Sequence, residues 1–220
     1  AFLQRVRSWA RARVLDIGAW GLLGGYTWAL LAAHAAHTSK RISDPDALLR
    51  HFFATFAVWE PGRPVALGPL PDTAPSRRAP WPIYTPTAPP FNSARGLTRS
   101  TYALIRGELR RADELVRTAS PDLESPIDPA ADPRRLVLSL SGVDPDAELA
   151  CRGWLDGHVL SLILALENVH ARVRPYPRPQ LTPDGLQQSL GLEGGHPREL
   201  LAAAHDFTLD FAMWPERPIG

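Results

Sequence analysis

The spacing of apolar residues changes once along this chain, and that change constrains the fold more than any other feature. Before about residue 118, apolar side chains recur every three or four positions, which is the spacing of a helical face. After about residue 134 they alternate with polar ones, as in RLVLSLS at 135–141, which is typical of strands. We therefore predict an α+β chain, with an all-helical domain over 1–130 and a mixed domain over 131–220.

Four helices are predicted in the first domain, and a proline-rich stretch separates the third from the fourth. Asp44 is placed to cap the third helix, because a proline follows it at the first helical position. Between Glu60 and Gly96, proline recurs too often for a helix or a central strand to persist, which predicts a long loop. The predicted helices cover Phe2–Val14, the apolar segment after Gly25, the segment after Asp44, and Thr98–Ala119.

The second domain is predicted to contain three strands and one long helix. The strands cover Arg135–Ser141, Val169–Arg174 and the segment FTLDFAMW at 207–214, and the helix covers Asp146–Asn168. Strands and a helix in so short a region predict a small α+β sandwich.

Charge and cysteine content narrow the possible functions and the compartment. Lysine and arginine total 24 against 23 acidic residues, so any anion binding must be local. The single cysteine, Cys151, excludes an internal disulfide and a cysteine-based zinc site, which fits a reducing compartment. Because Lys40 is the one lysine and alanine and proline are abundant, the composition is typical of a bacterial gene. We predict a cytoplasmic location, or a nuclear one if the source is eukaryotic.

An uncharged stretch, Ile17–Ser39, resembles a membrane anchor because four arginines precede it. Four glycines and two histidines interrupt this stretch, and only the part after Gly25 is strongly helical. We interpret it as a buried core helix and predict no membrane partner.

No catalytic or metal-binding residue is predicted in this chain. Nucleotidyl transfer needs paired carboxylates on a strand, but both Asp-Pro-Asp sequences, at 44–46 and 144–146, are better explained as helix starts. His34 and His37 lie three residues apart on a helix, yet no third metal ligand is near them in the sequence. Cys151 is interpreted as a small buried hydrophobic residue.

The glycine-rich segment GAWGLLGG at 18–25 is the strongest candidate for a binding site. Small residues let backbone amides approach a ligand, and the segment ends at the start of a helix, where a phosphate is favoured. Arg7 and Arg11 lie on the preceding helix and can pack beside it. Tight packing between helices is the alternative explanation of such glycines.

The residues around this segment resemble a known family. The segment RVRSWARARVLDIGAWGLLGGYTWALLAAHAA, at 5–36, resembles the part of poly(A) polymerases that reads Lys-x-Trp-Ala, a turn, and Gly-Phe-Leu-Gly-Gly-x-Ser-Trp-Ala. HFFATFAVWEPGRPVAL at 51–67 and WPIYTPTAPPFNS at 81–93 resemble the helix and the Met-Pro-Ile-x-Thr-Pro loop that follow in that family. The similarity covers about residues 2–118 and continues more weakly beyond them.

The resemblance implies both a fold and an activity. It implies an all-helical poly(A) polymerase central domain followed by a ferredoxin-like α/β sandwich that binds RNA, separated from an upstream nucleotidyltransferase domain. The parent enzyme is then expected to add AMP from ATP to RNA 3′ ends, with Mg²⁺ or Mn²⁺ held by the upstream domain. The fragment by itself is expected to be inactive.

The resemblance also assigns residues to the nucleotide. The family's triphosphate-contacting lysine falls on Arg7, and the residues that approach the nucleotide fall on Gly24, Gly25 and Tyr26.

Two adenine-contacting positions of the family differ in this chain. The tyrosine that stacks on adenine falls on Asp16, and an adenine-reading asparagine falls on Gly18. Tyr26 or Trp20 can offer an aromatic face instead, with core packing as the alternative for both.

In the second domain, His170, Arg172 and Arg174 are predicted to form an outward basic strip suited to an RNA backbone. An exposed strand of this kind also needs no function. The alternatives to an enzyme are a non-catalytic module that recognises RNA ends and a structural partner in RNA processing or repair.

Overall fold

The computed structural model describes residues 1–39, 42–70, 80–128, 132, 134–140, 145–176, 179–182 and 185–213. The chain divides into two compact units, Ala1–Ile127 and Asp128–Gly220. The fold class is α+β, as predicted, with the strands of the sheet confined to the second unit. The first unit contains helices α1 (Phe2–Ala12), α2 (Gly25–Thr38), α3 (Pro45–Ala57) and α4 (Arg99–Arg117), with short 3₁₀ turns at Gly18–Trp20 and Pro121–Glu124.

Local capping explains where the third and fourth helices begin. The Asp44 carboxylate accepts a hydrogen bond from the Ala47 amide at 2.7 Å, and Pro45 occupies the first helical position. Thr98 caps α4 in the same way, because its hydroxyl accepts a hydrogen bond from the Thr101 amide at 3.2 Å. Both starts were predicted from the sequence, since capping depends only on residues a few positions apart.

Aromatic side chains hold the helices of the first unit together. Trp9 of α1 meets Trp28 of α2 edge-on at 5.4 Å between ring centroids, and it meets Phe53 of α3 at 4.9 Å. The Trp28 indole donates a hydrogen bond to the carbonyl oxygen of Leu15 at 3.1 Å. Because these rings are buried, the uncharged stretch Ile17–Ser39 contributes α2 to a protein core.

The described parts of the long loop, 60–70 and 80–96, are tied to this core without forming a helix. Val65 and Ile83 form a parallel bridge, and Tyr84 and Asn92 form an antiparallel one. The Asn92 side-chain oxygen accepts hydrogen bonds from the Ile83 amide at 3.0 Å and the Ala94 amide at 2.9 Å. The loop conformation therefore rests on paired backbone groups and a buried Ile83.

The second unit is a small antiparallel sheet with two helices. It contains β1 (Arg135–Leu140), α5 (Pro145–Asn168), β2 (Ala171–Pro175), β3 (Gln180–Thr182), β4 (Gly185–Gly194) and α6 (Pro197–Ala212). β4 lies between β1 and β2 and is antiparallel to both, so β1 and β2 are parallel and joined through α5. This split βαβ arrangement is that of a ferredoxin-like sandwich. β2 and β3 follow one another along the same side of β4.

One predicted strand of the second unit is wrong. The segment FTLDFAMW was expected to form a strand, but its described residues, 207–213, lie in or just after the helix α6. The alternation of Phe207, Leu209, Phe211 and Met213 suggested a strand, yet Leu209 and Met213 are exposed. The buried residues follow helical spacing instead, at Leu200, Ala204, Phe207 and Phe211.

The central strand β4 was not predicted at all. Its inward positions include Gln188, which is fully buried, and three glycines further weaken the apolar alternation. β2 begins at Ala171 rather than at Val169, because His170 has a left-handed φ of 62° that prevents an extended start. The predicted cap Asp144 lies outside the described residues, whereas the helix it was expected to start is present as α5.

The helix α5 is unusually apolar for a helix of a small domain. Within the described residues, one helical segment, Ala147–Asn168, is long and apolar enough to cross a membrane by length and composition. The most apolar part of this segment has a mean hydropathy of 1.3, and 39% of that part is buried inside the protein. Leu155, Val159 and Leu162 are buried, and α5 packs against β2 and α6. These contacts are typical of a core helix.

Candidate functional site

The glycine-rich turn between α1 and α2 is fixed by contacts with the start of α4. Gly21 has a left-handed φ of 75°, which a side chain disfavours. Its carbonyl oxygen accepts a hydrogen bond from the buried Thr101 hydroxyl at 2.5 Å. A Cβ on Gly96 would lie 3.9 Å from Gly18 and Gly21 backbone atoms, so the chain passes closely here. Tight packing therefore explains Gly21, as the sequence analysis allowed.

Gly24 and Gly25 have a different role, because they form the N-terminal end of α2. Gly24 is the N-cap residue and offers no side chain to bind the first amides of the helix. A Cβ added to Gly25 would lie 3.3 Å from Nη2 of Arg7, whereas a Cβ on Gly24 would meet nothing within 4 Å. The guanidinium of Arg7 thus lies against the backbone of Gly25.

This arrangement concentrates positive charge at one place on the surface. The amides at the start of the 14-residue helix α2 carry the positive end of the helix dipole. Arg7 adds a full positive charge, and its side chain is exposed to solvent. An uncapped helix start beside a guanidinium is chemically suited to phosphate oxygens, which accept hydrogen bonds from both.

The aromatic candidates near this site differ in accessibility. Tyr26, the second residue of α2, is 54% exposed, whereas Trp20 is fully buried. Trp20 is therefore a core residue, which was its alternative interpretation. Asp16 forms an ion pair with Arg11 at 3.5 Å. A Cβ on Gly18 would lie 3.4 Å from backbone atoms of Gly24, which is ordinary van der Waals contact.

A buried ion pair that the sequence did not indicate supports the end of α1. Arg13 donates hydrogen bonds to both carboxylate oxygens of Glu108 on α4, at 2.8 and 2.9 Å. It also donates to the Ser125 carbonyl oxygen at 2.7 Å. Because Arg13 directly precedes the turn that leads to Gly18–Gly25, this pair orients the helix that carries Arg7. Ninety-five residues separate the partners in sequence, so no local pattern reveals them.

The predicted RNA-contacting residues lie on or beside β2. Arg172 and Arg174 alternate with the buried Ala171 and Val173, so they face away from the helices. Arg172 is exposed and forms an ion pair with Glu193 of β4 at 3.5 Å. His170 is exposed in the turn before the strand, not on it.

A third arginine joins this surface through the register of the sheet. Arg135 of β1 and Arg174 of β2 both pair with Gly191, on opposite sides of β4. Residues directly opposite one another share a face, so Arg135 lies on the same face as Arg174. Arg135 could not be assigned to this surface from the sequence, because β4, which connects β1 and β2, was not predicted.

The described residues contain no group of three or more His, Cys, Asp or Glu side chains able to hold a metal ion. Nδ1 of His34 lies 3.2 Å from the Ala66 carbonyl oxygen, and its ring packs edge-on against Trp59 at 5.4 Å. Burial lowers the pKa of His34, which favours the neutral ring. Cys151 is buried, as expected for a small core residue. His34 therefore has a packing role at the edge of the core.

Comparison with known proteins identifies relatives of this chain. The poly(A) polymerase central domain family matches residues 1–124. Nuclear poly(A) polymerase 1 of Arabidopsis thaliana is 25% identical over 197 residues, which cover 80% of this chain and 27% of that protein. Poly(A) polymerase of Dictyostelium discoideum is 28% identical over 125 residues, and nuclear poly(A) polymerase 3 of Arabidopsis thaliana is 34% identical over 120 residues.

The chain spans at most 27% of the length of these three relatives. The family match covers the helices α1 to α4 and the glycine-rich turn, which is more than half of the chain. This chain therefore belongs to the poly(A) polymerase central domain family.

Proposed function

We propose that this chain is part of a polynucleotide adenylyltransferase-like enzyme that adds AMP from ATP to RNA 3′ ends. In this proposal the first unit forms the wall that contacts the nucleotide, and the second unit contributes to the grip on RNA. The observation that carries the proposal is the contact between the Arg7 guanidinium and Gly25 at the uncapped start of α2.

The residues at the start of α2 would act on the triphosphate by binding and orientation. Arg7 donates planar, paired hydrogen bonds to phosphate oxygens, and the amides of Gly25 and Tyr26 donate from the helix end. The family has a lysine at the position of Arg7. Arginine keeps the positive charge but replaces the compact ammonium of lysine with a planar guanidinium. Fixed donors of this kind accelerate phosphoryl chemistry through positioning and through stabilisation of developing negative charge.

The metal-dependent step of nucleotide transfer is assigned to an upstream nucleotidyltransferase domain. That domain would hold Mg²⁺ or Mn²⁺, which neutralise charge on the phosphates when bound. The carboxylates described in this chain do not form a suitable cluster, so no metal-dependent step is assigned to its residues. The chain's own contribution is to bind the triphosphate against α2 and to exclude water as the domains close.

Base recognition is assigned to Tyr26. The family's stacking tyrosine is replaced by Asp16, which is held by Arg11, and its asparagine is replaced by Gly18. Tyr26 offers an exposed ring one residue after Gly25, close to where a bound triphosphate would lie. Stacking is tolerant of the base, so we expect a weaker preference for adenine than two specific contacts would give.

RNA is assigned to the face of the sheet that points away from the helices. Arg172 and Arg174 lie there with Arg135 of β1, and His170 lies at the end of β2. Guanidinium groups on β1 and β2 are suited to bind the phosphates of single-stranded RNA, whose backbone is not held in a double helix. We place the whole protein in the cytoplasm, or in the nucleus if its source is eukaryotic.

A second candidate function is a non-catalytic module that recognises RNA ends. It is favoured by one observation: Asp16 is engaged by Arg11 where the family has its stacking aromatic residue. This module would keep the basic face of the sheet and lose base selection. It predicts RNA binding without nucleotide addition.

The experiment is RNA extension by the full-length protein that contains this chain, with Mg²⁺ or Mn²⁺ and each of the four nucleotides supplied separately. Arg7→Ala should lower extension about a hundredfold, because it removes a charge-assisted bidentate contact to the triphosphate. The matched control is Arg50→Ala, which removes an exposed arginine of α3. A folded protein that binds RNA but extends it with no nucleotide would support the module instead.

A further inference from the structure

A groove between α5 and α6 in the second unit has no role in the proposed activity. Its volume is about 420 Å³. Ala165 of α5 and Ala202 and Ala203 of α6 line it, and these small side chains leave the space between the helices open. Leu162, Val169 and Phe207 add further apolar lining. The groove is therefore lined mainly by apolar side chains and lies on the helical side of the unit, away from the basic face of the sheet.

Three carboxylates line the α6 side of this groove. Glu199, Asp206 and Asp210 are spaced by seven and four residues, which places them on one face of a helix. From the first to the last, the distance along the helix axis is about 16 Å. The three side chains form no ion pair or hydrogen bond with any residue that the structure describes. The opposite wall carries neutral polar side chains, Ser161 and Asn168.

The surface beside the groove is also more apolar than packing within the unit requires. Leu164 of α5 is 46% exposed, and Leu209 of α6 and Met213, which directly follows α6, are exposed as well. The apolar window of α5 is only 39% buried, although its composition would suit complete burial. Exposed apolar side chains next to an unfilled apolar groove are typical of a surface that another molecule covers.

The geometry points to a partner protein segment that is helical, amphipathic and basic. Its apolar side chains would enter the groove over Ala165, Ala202 and Ala203, and its arginines or lysines would meet Glu199, Asp206 and Asp210. A helix of about eleven residues has the length of this row of carboxylates. Nucleic acid and anionic lipid surfaces are disfavoured, because their phosphates would lie against three carboxylates. The inference does not depend on the nucleotide role of the first unit.

The test uses the full chain and a designed probe. The probe is a fluorescein-labelled helical peptide with a leucine face and three arginines, spaced to match the three carboxylates. Fluorescence anisotropy should show saturable binding that salt weakens. The same peptide with glutamate in place of each arginine should not bind.

Two variants, one with two substitutions and one with a single substitution, locate the binding. Asp206→Asn together with Asp210→Asn should weaken the peptide about tenfold, since each partly exposed charge pair contributes a few-fold. The matched control, Glu60→Gln together with Glu114→Gln, removes the same charge from exposed sites in the first unit and should change nothing. Ala203→Phe, which fills the groove, should also reduce binding, and circular dichroism confirms that α6 persists in each variant.

Several outcomes would overturn the inference. No saturable binding of the arginine peptide, or equal binding of the glutamate peptide, removes the basic partner. Binding that is insensitive to the Asp206 and Asp210 changes places the peptide elsewhere. Sedimentation that shows a dimer of the wild-type chain, lost in the Ala203→Phe variant, assigns the groove to a second copy of this chain.

Discussion

The candidate nucleotide site of the first unit and the groove between α5 and α6 of the second unit carry opposite charges on different kinds of surface. In Ala1–Ile127, Arg7 and the start of α2 form a positive site above a closed aromatic core. In Asp128–Gly220, an apolar groove between α5 and α6 carries three carboxylates. The net charge of the whole chain is +1, although the chain carries both a cationic site and an anionic groove. The net charge of the whole chain therefore does not predict what either unit binds.

The most apolar helices of the two units, α2 and α5, also differ in how completely their apolar side chains are buried. α2 buries Trp28, Leu31 and Ala35, and its exposed Tyr26 ring lies at the candidate nucleotide site. α5 leaves Leu149 80% exposed and Leu164 46% exposed, although it is the longer of the two and contains the segment long and apolar enough to cross a membrane. The apolar residues of α2 are thus buried in the core of the first unit, whereas α5 contributes to the core of the second unit and also leaves apolar side chains exposed.

The largest effect is expected from breaking the buried ion pair of the first unit. Arg13→Ala removes two charge-assisted hydrogen bonds from the buried Glu108 carboxylate and leaves Arg111, 3.8 Å away, as a more distant cation, which should lower the free energy of unfolding by about 4 kcal/mol. Urea denaturation followed by tryptophan fluorescence measures this loss. The control is Arg11→Ala, whose more exposed pair with Asp16 should contribute less than about 1 kcal/mol. Equal effects of the two substitutions would contradict this role of Arg13.

A comparison of two leucines on α5 tests whether the second unit has an uncovered surface. Leu162→Ala should lower the free energy of unfolding by about 3 kcal/mol, because Leu162 is buried. Leu164→Ala should cost less than about 1 kcal/mol, since this side chain keeps nearly half of its exposure. Urea denaturation of both variants is the measurement. Similar losses would mean that Leu164 is covered within the unit.

Two adjacent glycines sharpen the assignment of the positive site. Gly25→Ala should weaken ATP binding about tenfold, because its Cβ would displace the Arg7 guanidinium from the helix start. Gly24→Ala should leave ATP affinity nearly unchanged, since its Cβ meets no atom within 4 Å. Isothermal titration of each variant with ATP provides the affinities. A larger loss from Gly24→Ala than from Gly25→Ala would place the phosphates elsewhere.

The smallest predicted effect is a pH dependence confined to the second unit. Burial and a hydrogen bond donated to Asp132 raise the pKa of Tyr176 above its ordinary value. The folded protein then holds this proton more tightly than the unfolded chain. The resulting stabilisation is complete below about pH 10 and is lost as the pH rises further.

Tyr176→Phe isolates this contribution from those of the other tyrosines. Urea denaturation at about pH 9 and about pH 11 should show a smaller decrease in stability for Tyr176→Phe than for the wild type. Tyr102, whose pKa burial also raises, is unchanged in both proteins and serves as the internal reference. The same decrease in both proteins would remove Tyr176 from the pH dependence.

Local interactions explain which parts of the fold the sequence could predict. The starts of α3 and α4 follow from Asp44 and Thr98, whose partners lie three residues away. β4 escaped prediction because the buried Gln188 interrupts its apolar face, and only pairing with β1 and β2 makes this residue internal. α6 was mistaken for a strand because Phe207 and Phe211 satisfy both periods at once.

For the candidate site too, contacts between residues distant in the sequence could not be predicted. The sequence predicted that Arg7 can pack beside the glycine-rich segment, and the assignment of Arg7, Gly24, Gly25 and Tyr26 to the nucleotide came from a family resemblance. The contact of the Arg7 guanidinium with Gly25 itself is visible only in the structure. Arg13 and Glu108 could not be paired from the sequence, since long-range partners leave no local pattern. Arg135 joins Arg174 only through the register of β4.

The contact between Arg7 and the start of α2 is the central claim, and amide NMR tests it directly. Titration of the ¹⁵N-labelled chain with ATP should shift the amide resonances of Gly25, Tyr26 and Thr27, which lie in the first turn of α2. Arg7→Ala should weaken these shifts, and Arg50→Ala should preserve them. If ATP instead shifts only residues of β2 and β4, or leaves the first turn of α2 unchanged, the nucleotide site is not at this helix start.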